Sequence, residues 1–337
     1  MNGLSLNLPA PARLRETRRT PGAIIAHLRT VAPVVCVLAL AGVRAAGADD
    51  YGPLEPVAPG VYVQRGAMAA ASTANRGAVA NLGVLVGPTG VIVVNTGSSR
   101  AHGQALLAAV ARLTARPVLL AIDTQASPDQ VLGNAAFSQL GIPVLAHRDT
   151  DQFMRERCDA CVADVKAKAD NDALASTRVA WPTRLIEGSQ TLKVGGRTLQ
   201  IVYLGWTEQP GCLAVLDTDS GVLFTGDMAS FGVVPQTQLS HLPAWTDALG
   251  QLQALAPRVV VPAHGAPGGA AELALLRQYL RSLLQDTRAA YERGDGLMET
   301  VEQLNLPQFR DWALYEAHHR RNVHFTYLQI EEQDLKK

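Results

Sequence analysis

DTQASPDQVLGN, residues Asp123 to Asn134, follows directly on the short apolar run PVLLAI (Pro117–Ile122). A run of that length with β-branched residues predicts a buried strand, and it hands its polar continuation to the strand's C-terminal end. Upstream, ANLGVLVGPTGVIVVNTG (80–97) is two apolar runs split by Gly87-Pro88-Thr89-Gly90, a buried hairpin. HGQALLAAVARLT (102–114) then places apolar residues at helical spacing. Downstream, VLGNAAFSQLG (131–141) reads as helical and IPVLAH (142–147) as a strand. This β-α-β-α alternation predicts an α/β architecture.

Farther out, VAPGVYVQRG (57–66) has the alternation of a strand ended by glycine. Residues from about 150 to 180 are polar and helical and carry Cys158 and Cys161. A second strand-rich half follows: TLKVGGRTLQIVYLG (191–205), CLAVLDTDSGVLFTGD (212–227), helix PAWTDALGQLQAL (243–255) and strand RVVVPAHG (258–265). Two such halves imply two sheets face to face with helices outside. A helix from Ala270 to Arg293 carries Leu273, Leu276, Leu280, Leu283, Leu284 and Tyr291 and is closed by Gly294. The tail 311–333 reads as one more helix.

The 337 residues hold 47% apolar and 18% charged residues, a globular composition with formal charge zero. Residues 1–48 contain six Arg and one Glu, leaving 24 basic against 29 acidic residues in the rest. That mildly acidic body argues against nucleic acid or an anionic membrane as partner. Five arginines precede the apolar run Val31–Val43, and Ala46 and Ala48 form a small-x-small pattern. This predicts an export signal over 1–48, cut after Ala48, and a periplasmic or secreted protein without a stable membrane span. Arg18-Arg19 hints at a twin-arginine route; an uncleaved anchor and a mis-assigned start codon are the alternatives. In an oxidising compartment, Cys158 and Cys161 are expected to form a local disulfide and Cys212 to be a free, buried thiol.

Four features stand in order: DTQASPDQVLGN, LGWTEQPGCLAVL, GVLFTGD and VVVPAHG. Their order and wording resemble the metallo-β-lactamase superfamily. LEPVAPGVYVQRG, GVIVVNTG, RCDAC and RNVHFTYLQIE are similar to one subgroup, the quinoprotein relay system zinc metallohydrolases. The resemblance implies a four-layer αβ/βα sandwich of two mixed sheets flanked by helices, spanning 49–295, with 296–337 as a helical extension packed on it. It also implies two metals at the mouth, where a metal-bound hydroxide is the nucleophile.

The ligand positions implied by the resemblance are heavily substituted. Gln125 and Ser127 stand at the first two histidines of the T-H-x-H-x-D-H loop, Gln130 at its last, and Glu208 at the histidine of G-x-x-H-T-x-G. Asp129, Asp227 and His264 remain, a remnant of site two. Asn95 stands where the strand usually carries Asp. Amide and hydroxyl groups are poor zinc ligands beside imidazole or carboxylate.

Three readings follow. The metal site is degenerate, and a pseudoenzyme or accessory protein remains. Alternatively, one divalent ion (zinc, manganese or iron) sits on Asp129, Asp227 and His264, and its bound water hydrolyses a substrate with Glu208 as general base or extra ligand. In the third, the polar mouth binds a small-molecule ligand or a periplasmic quinoprotein-system protein without hydrolysis. Asp129 and Glu208 are the catalytic candidates in the second.

The remaining histidines carry blander expectations. His147 is read as a satisfied structural residue, and His241 as part of a cleft-shaping loop. His318, His319 and Asn322 are read as a solvated helix face, with His324 nearby. No G-x-S-x-G elbow or phosphate-cradling loop is present.

Overall fold

The computed structural model describes residues 51–169 and 174–336; the stretch 1–48, where an export signal is expected, lies outside the described residues. In chain order the elements are β1 (Leu54–Ala58), β2 (Val61–Gln64), β3 (Leu82–Val86), β4 (Val91–Val94), α1 (Arg100–Leu113), β5 (Val118–Ile122), α2 (Pro128–Val131), α3 (Asn134–Ser138), β6 (Val144–His147) and α4 (Arg148–Ala169). The second half runs β7 (Arg184–Ile186), β8 (Gln190–Val194), β9 (Arg197–Tyr203), β10 (Leu213–Asp217), β11 (Val222–Phe224), α5 (Leu242–Ala254), β12 (Val259–Val261), α6 (Ala270–Arg293), α7 (Leu297–Gln303) and α8 (Tyr315–Leu335).

One sheet has seven strands in the order β1-β2-β3-β4-β5-β6-β7, antiparallel up to β4 and parallel beyond it. The other has five, in the order β12-β11-β10-β9-β8, parallel between β11 and β12 alone. Both sheets are therefore mixed, as the resemblance implied. The change from antiparallel to parallel follows from the connections. The hairpins at 87–90 and 195–196 reverse the chain tightly, whereas β4-α1-β5 and β11-α5-β12 need a helical crossover.

Side-chain alternation then sorts the core into three layers. Val63, Leu85, Ile92, Ile122, Ile201, Leu213 and Phe224 fill the space between the sheets. Val84, Val93 and Ala121 on the opposite face of the first sheet pack with Leu106 of α1 and Phe137 of α3. Ala214, Leu223 and Val260 of the second sheet pack with Trp245 of α5, Leu276 and Tyr279 of α6 and Val323 of α8. The result is the αβ/βα sandwich predicted from the sequence. A buried arginine, ion-paired within the second sheet, ties it to the first at the end away from the loops of interest. Arg197 Nη1 donates to Asp217 Oδ2 at 2.6 Å, while Nε and Nη2 donate to the carbonyls of Val86 and Pro59.

Several expectations need correction. The expected helix over 131–141 is interrupted at 132–133, leaving two short helices. The tail helix starts at Tyr315 rather than 311, because Leu314 adopts a left-handed conformation at φ +62°. The face of His318, His319 and Asn322 is not solvated: His319 and Asn322 are each 1% exposed. Tyr279 is the reason, since its hydroxyl contacts His319 Nδ1 and accepts from Asn322 Nδ2. His147 is buried as expected, but its Nε2 has no hydrogen-bond partner.

The disulfide expected between Cys158 and Cys161 is not formed, and both residues lie on α4. Side chains three apart on a helix keep their Cβ atoms about 5–6 Å apart, whereas a disulfide needs about 3.8 Å. As long as α4 runs unbroken, the bridge is geometrically opposed. Cys212 is a buried free thiol, as expected. Among the described residues, no helix is long and apolar enough to cross a membrane.

Candidate functional site

The loops at the C-terminal ends of β5, β11 and β12 meet at one edge of the sandwich. After β5, the chain is held by the backbone N–H of Thr124 donating to Asn95 Oδ1 at 2.9 Å, and by Leu213 N–H donating to Thr124 O at 2.7 Å. The second bond crosses between the sheets. Ser127 then leads into α2, with Pro128 at its first position and Asp129 in its first turn. After β11, Gly226 takes φ +53°, and a Cβ there would lie 2.4 Å from Thr124 Oγ1. Glycine is thus what lets the Asp227 turn close on the Asp123–Asn134 loop. After β12, Asn81 Nδ2 donates to the carbonyls of Pro262 and Gly265 and fixes the loop carrying His264.

These loops bring Gln125, Ser127, Asp129, Glu208, Asp227 and His264 together, although they are spread over most of the fold. Gln125 is the hub and is fully buried. Its Oε1 accepts from the backbone N–H of Asp227 at 2.7 Å, and its Nε2 donates to Asp227 Oδ2. The same Nε2 lies 2.9 Å from Ser127 Oγ and 3.4 Å from Glu208 Oε2. Ser127 Oγ donates to Asp227 Oδ2 at 2.8 Å. On the other side, His264 Nε2 lies 3.0 Å from Asp227 Oδ1 and 3.7 Å from Asp129 Oδ2. Both oxygens of Asp227 are thereby engaged.

Gln130 does not join this group. It is fully buried beneath the loop, where its Oε1 accepts from Asn95 Nδ2 at 2.8 Å and from Thr124 Oγ1 at 3.0 Å. Asn95, itself at φ +62°, forms a neutral amide pair with Gln130 in place of a charged contact.

The electrostatics follow from burying three carboxyl groups beside one imidazole. Burial opposes a charge on His264, but the charge and hydrogen bond of Asp227 and the charge of Asp129 outweigh it and raise the imidazole to about 9. Its Nδ1 donates to the Val79 carbonyl at 3.0 Å, so the protonated ring presents Nε2–H to the carboxylates. Burial raises Asp129 to about 6 against the pull of His264. Burial and then the Asp227 charge hold Glu208 well above the usual carboxylate range.

Two groups had no signal in the sequence motifs. Asp123, fully buried, accepts from Asn134 Nδ2 at 2.6 Å, and burial raises it to about 8. His318 is tied by Nδ1 to the Val234 carbonyl at 2.7 Å, and its protonation is opposed by burial and by the charge of His264. The 230–234 segment explains this: Phe231 N–H donates to His264 O, and Val234 N–H to Ala313 O. It straps the His264 loop to the start of α8. On the rim, Trp206 is 52% exposed with its indole N–H on Leu239 O, and Met68 is 43% exposed.

The donor set does not fit a dinuclear centre. Gln125 directs an amide N–H, not a lone pair, at Asp227 Oδ2, and the other groups on that side are Ser127 and Glu208. Among the described residues, no group of three or more His, Cys, Asp or Glu is arranged to hold a metal ion.

A sequence profile of the metallo-beta-lactamase superfamily matches residues 76–264, more than half of the chain. The chain belongs to this superfamily. It is 24% identical over 259 residues to a linear primary-alkylsulfatase of Pseudomonas sp. (strain ATCC 19151), covering 65% of this chain and 49% of that protein. The chain thus spans about half the length of that curated relative. Among solved structures, a metallo-beta-lactamase from Pontibacter korlensis superposes with a TM-score of 0.51 at 21% identity, over 60% of this chain and 87% of the other. The stereoselective inverting sec-alkylsulfatase from Pseudomonas sp. superposes with a TM-score of 0.66 at 19% identity, over 82% and 50%. At these identities the structural likeness speaks for the fold.

Proposed function

We propose that this is an exported member of the superfamily in which a hydrogen-bonded network has replaced the dinuclear metal centre, and that it serves as a binding or accessory protein. The observation that carries this reading is the Gln125 amide, which clamps both the backbone N–H and the carboxylate of Asp227. A metal bridged by Asp227 would have to compete with Gln125 and Ser127 for Oδ2 and with His264 for the space at Oδ1. The polar mouth suits a small-molecule ligand, and the resemblance to quinoprotein-associated metallohydrolases supports a periplasmic setting. Elemental analysis of protein purified without chelator tests the reading: two equivalents of zinc per chain would refute it.

A second reading rests on His264. Its Nδ1 is bonded to a backbone carbonyl, which is how a ligating histidine is oriented. In that reading Asp129, Asp227 and His264 would hold one divalent ion, which would supply an activated water, and Glu208 would act as general base. One equivalent of a transition metal, lost in Asp129→Ala, would favour it. Hydrolysis of alkyl sulfate esters or of β-lactams, tested because the relatives are named for them, would then be expected to fall with the metal.

A further inference from the structure

An open groove of about 350 Å³ runs along α6 beside the end of α5, lined by Gln253, Arg277, Gln278, Arg281, Ser282 and Gln285, none of which belongs to the mouth. No carboxylate lines it. Arg277 and Arg281 are one helical turn apart on α6, so their guanidinium groups share a face and repel. Among the described residues neither has an acidic partner within salt-bridge distance. Arg277 Nε is also buried without an acceptor. A buried donor left unmade carries a desolvation cost, which an incoming acceptor would remove.

The opposite wall is fitted to this arginine. Gly250 lies inside α5, where glycine weakens a helix relative to alanine. A Cβ at that position would lie 3.2 Å from Cζ and Nη1 of Arg277 and 3.3 Å from Nη2. The missing side chain is therefore the seat of the guanidinium. Around it, Gln278, Gln285 and Ser282 supply neutral hydrogen-bond donors, while Gln253 Nε2 donates to the Ala270 carbonyl at 3.3 Å. This donor-rich cationic groove sits on a body whose charge outside residues 1–48 is acidic, 24 basic against 29 acidic residues.

We propose that the α5–α6 groove is an oxyanion-binding site, in which Arg277 and Arg281 take a phosphate or sulfate group with the side-chain amides around it. A guanidinium offers paired N–H groups that match the spacing of such oxygens. The site is separate from the carboxylate-rich mouth and stands whether or not a metal binds there.

Calorimetric titration of the full chain with inorganic phosphate and with sulfate, against chloride at matched ionic strength, tests the proposal. Saturable binding of about one equivalent is expected, weakened about tenfold or more by Arg277→Gln and by Arg281→Gln. Gly250→Leu fills the seat without changing charge and should weaken binding comparably, with the fold verified by circular dichroism. A second arm uses vesicles with and without phosphatidylglycerol. Binding to the anionic vesicles that disappears in Arg277→Gln identifies a lipid phosphate as the source and upholds the site. Binding of free phosphate without vesicle binding identifies a soluble ligand. Phosphate affinity that is equal in the wild type and all three variants, or no affinity for phosphate, sulfate or anionic vesicles, overturns the proposal.

Discussion

Replacing His264 by Gln removes the cation from between Asp129 and Asp227 while keeping a side chain able to donate. The folded value of about 9 against 6.5 corresponds to about 3.4 kcal/mol of stabilisation by the charged ring. The ring is 24% exposed, so solvent reduces this to about 2–3 kcal/mol. The sign follows from the direction of the shift. A raised folded value means that the contribution is complete below pH 6.5 and is lost as pH rises through 9. Below about pH 6, protonation of Asp129 also removes part of it. Urea unfolding of wild type and His264→Gln should therefore differ most between pH 6 and 7, and the difference should vanish by about pH 10. EDTA should leave both curves unchanged. A difference that persists undiminished to pH 10, or that EDTA abolishes, would show a neutral, metal-ligating His264 and refute the imidazolium reading.

Asp123→Asn should stabilise the protein in alkaline solution. A carboxyl raised to about 8 favours folding fully below pH 3.8 and progressively less up to pH 8, so the variant should gain up to about 5 kcal/mol at pH 8 in urea unfolding; a gain that is absent or larger at pH 4 contradicts the burial argument. Gln125→His, Ser127→His and Glu208→His combined should let purified protein take up about one equivalent of zinc, because they restore three imidazoles around Asp227. Adding Gln130→His should contribute little unless Asn95 is changed too, since Gln130 is bonded to Asn95 beneath the loop; metal uptake measured after dialysis checks both. Cys161, half-buried and with its thiol lowered by contact with Cys158, should be alkylated by iodoacetamide well before buried Cys158 and Cys212. Peptide mapping by mass spectrometry should find Cys161 labelled first in the native protein, and Cys158 and Cys212 labelled only on denaturation.

Much of the fold was written in local pattern. The glycine-split runs at 80–97 and 191–205 became the hairpins β3–β4 and β8–β9, because a tight turn and flanking apolar runs are sufficient to specify them. Gly294 ended α6 as expected, in the left-handed conformation at φ +86°. That Asp129, Glu208, Asp227 and His264 share one mouth was implied only by the resemblance of the loops that carry them to the metallo-β-lactamase superfamily; periodicity and composition gave no sign of it.

What the sequence could not contain was the set of partners each side chain takes across the fold. Gln125 and Gln130 are the same residue type in one loop, five positions apart. One clamps Asp227 in the mouth, and the other turns inward to Asn95. Gln125 lies in the loop before α2 and meets the Asp227 turn, whereas Gln130 lies within α2 and meets the end of β4, a matter of three-dimensional position. His319 and Asn322 showed only helical spacing, and their burial depends on Tyr279 from α6, some forty residues earlier in the chain. The sequence by itself determined the elements, their order and which polar residues stand in the loops after the strands. The tertiary structure decided how those residues pair, because a hydrogen bond depends on the placement of both its ends.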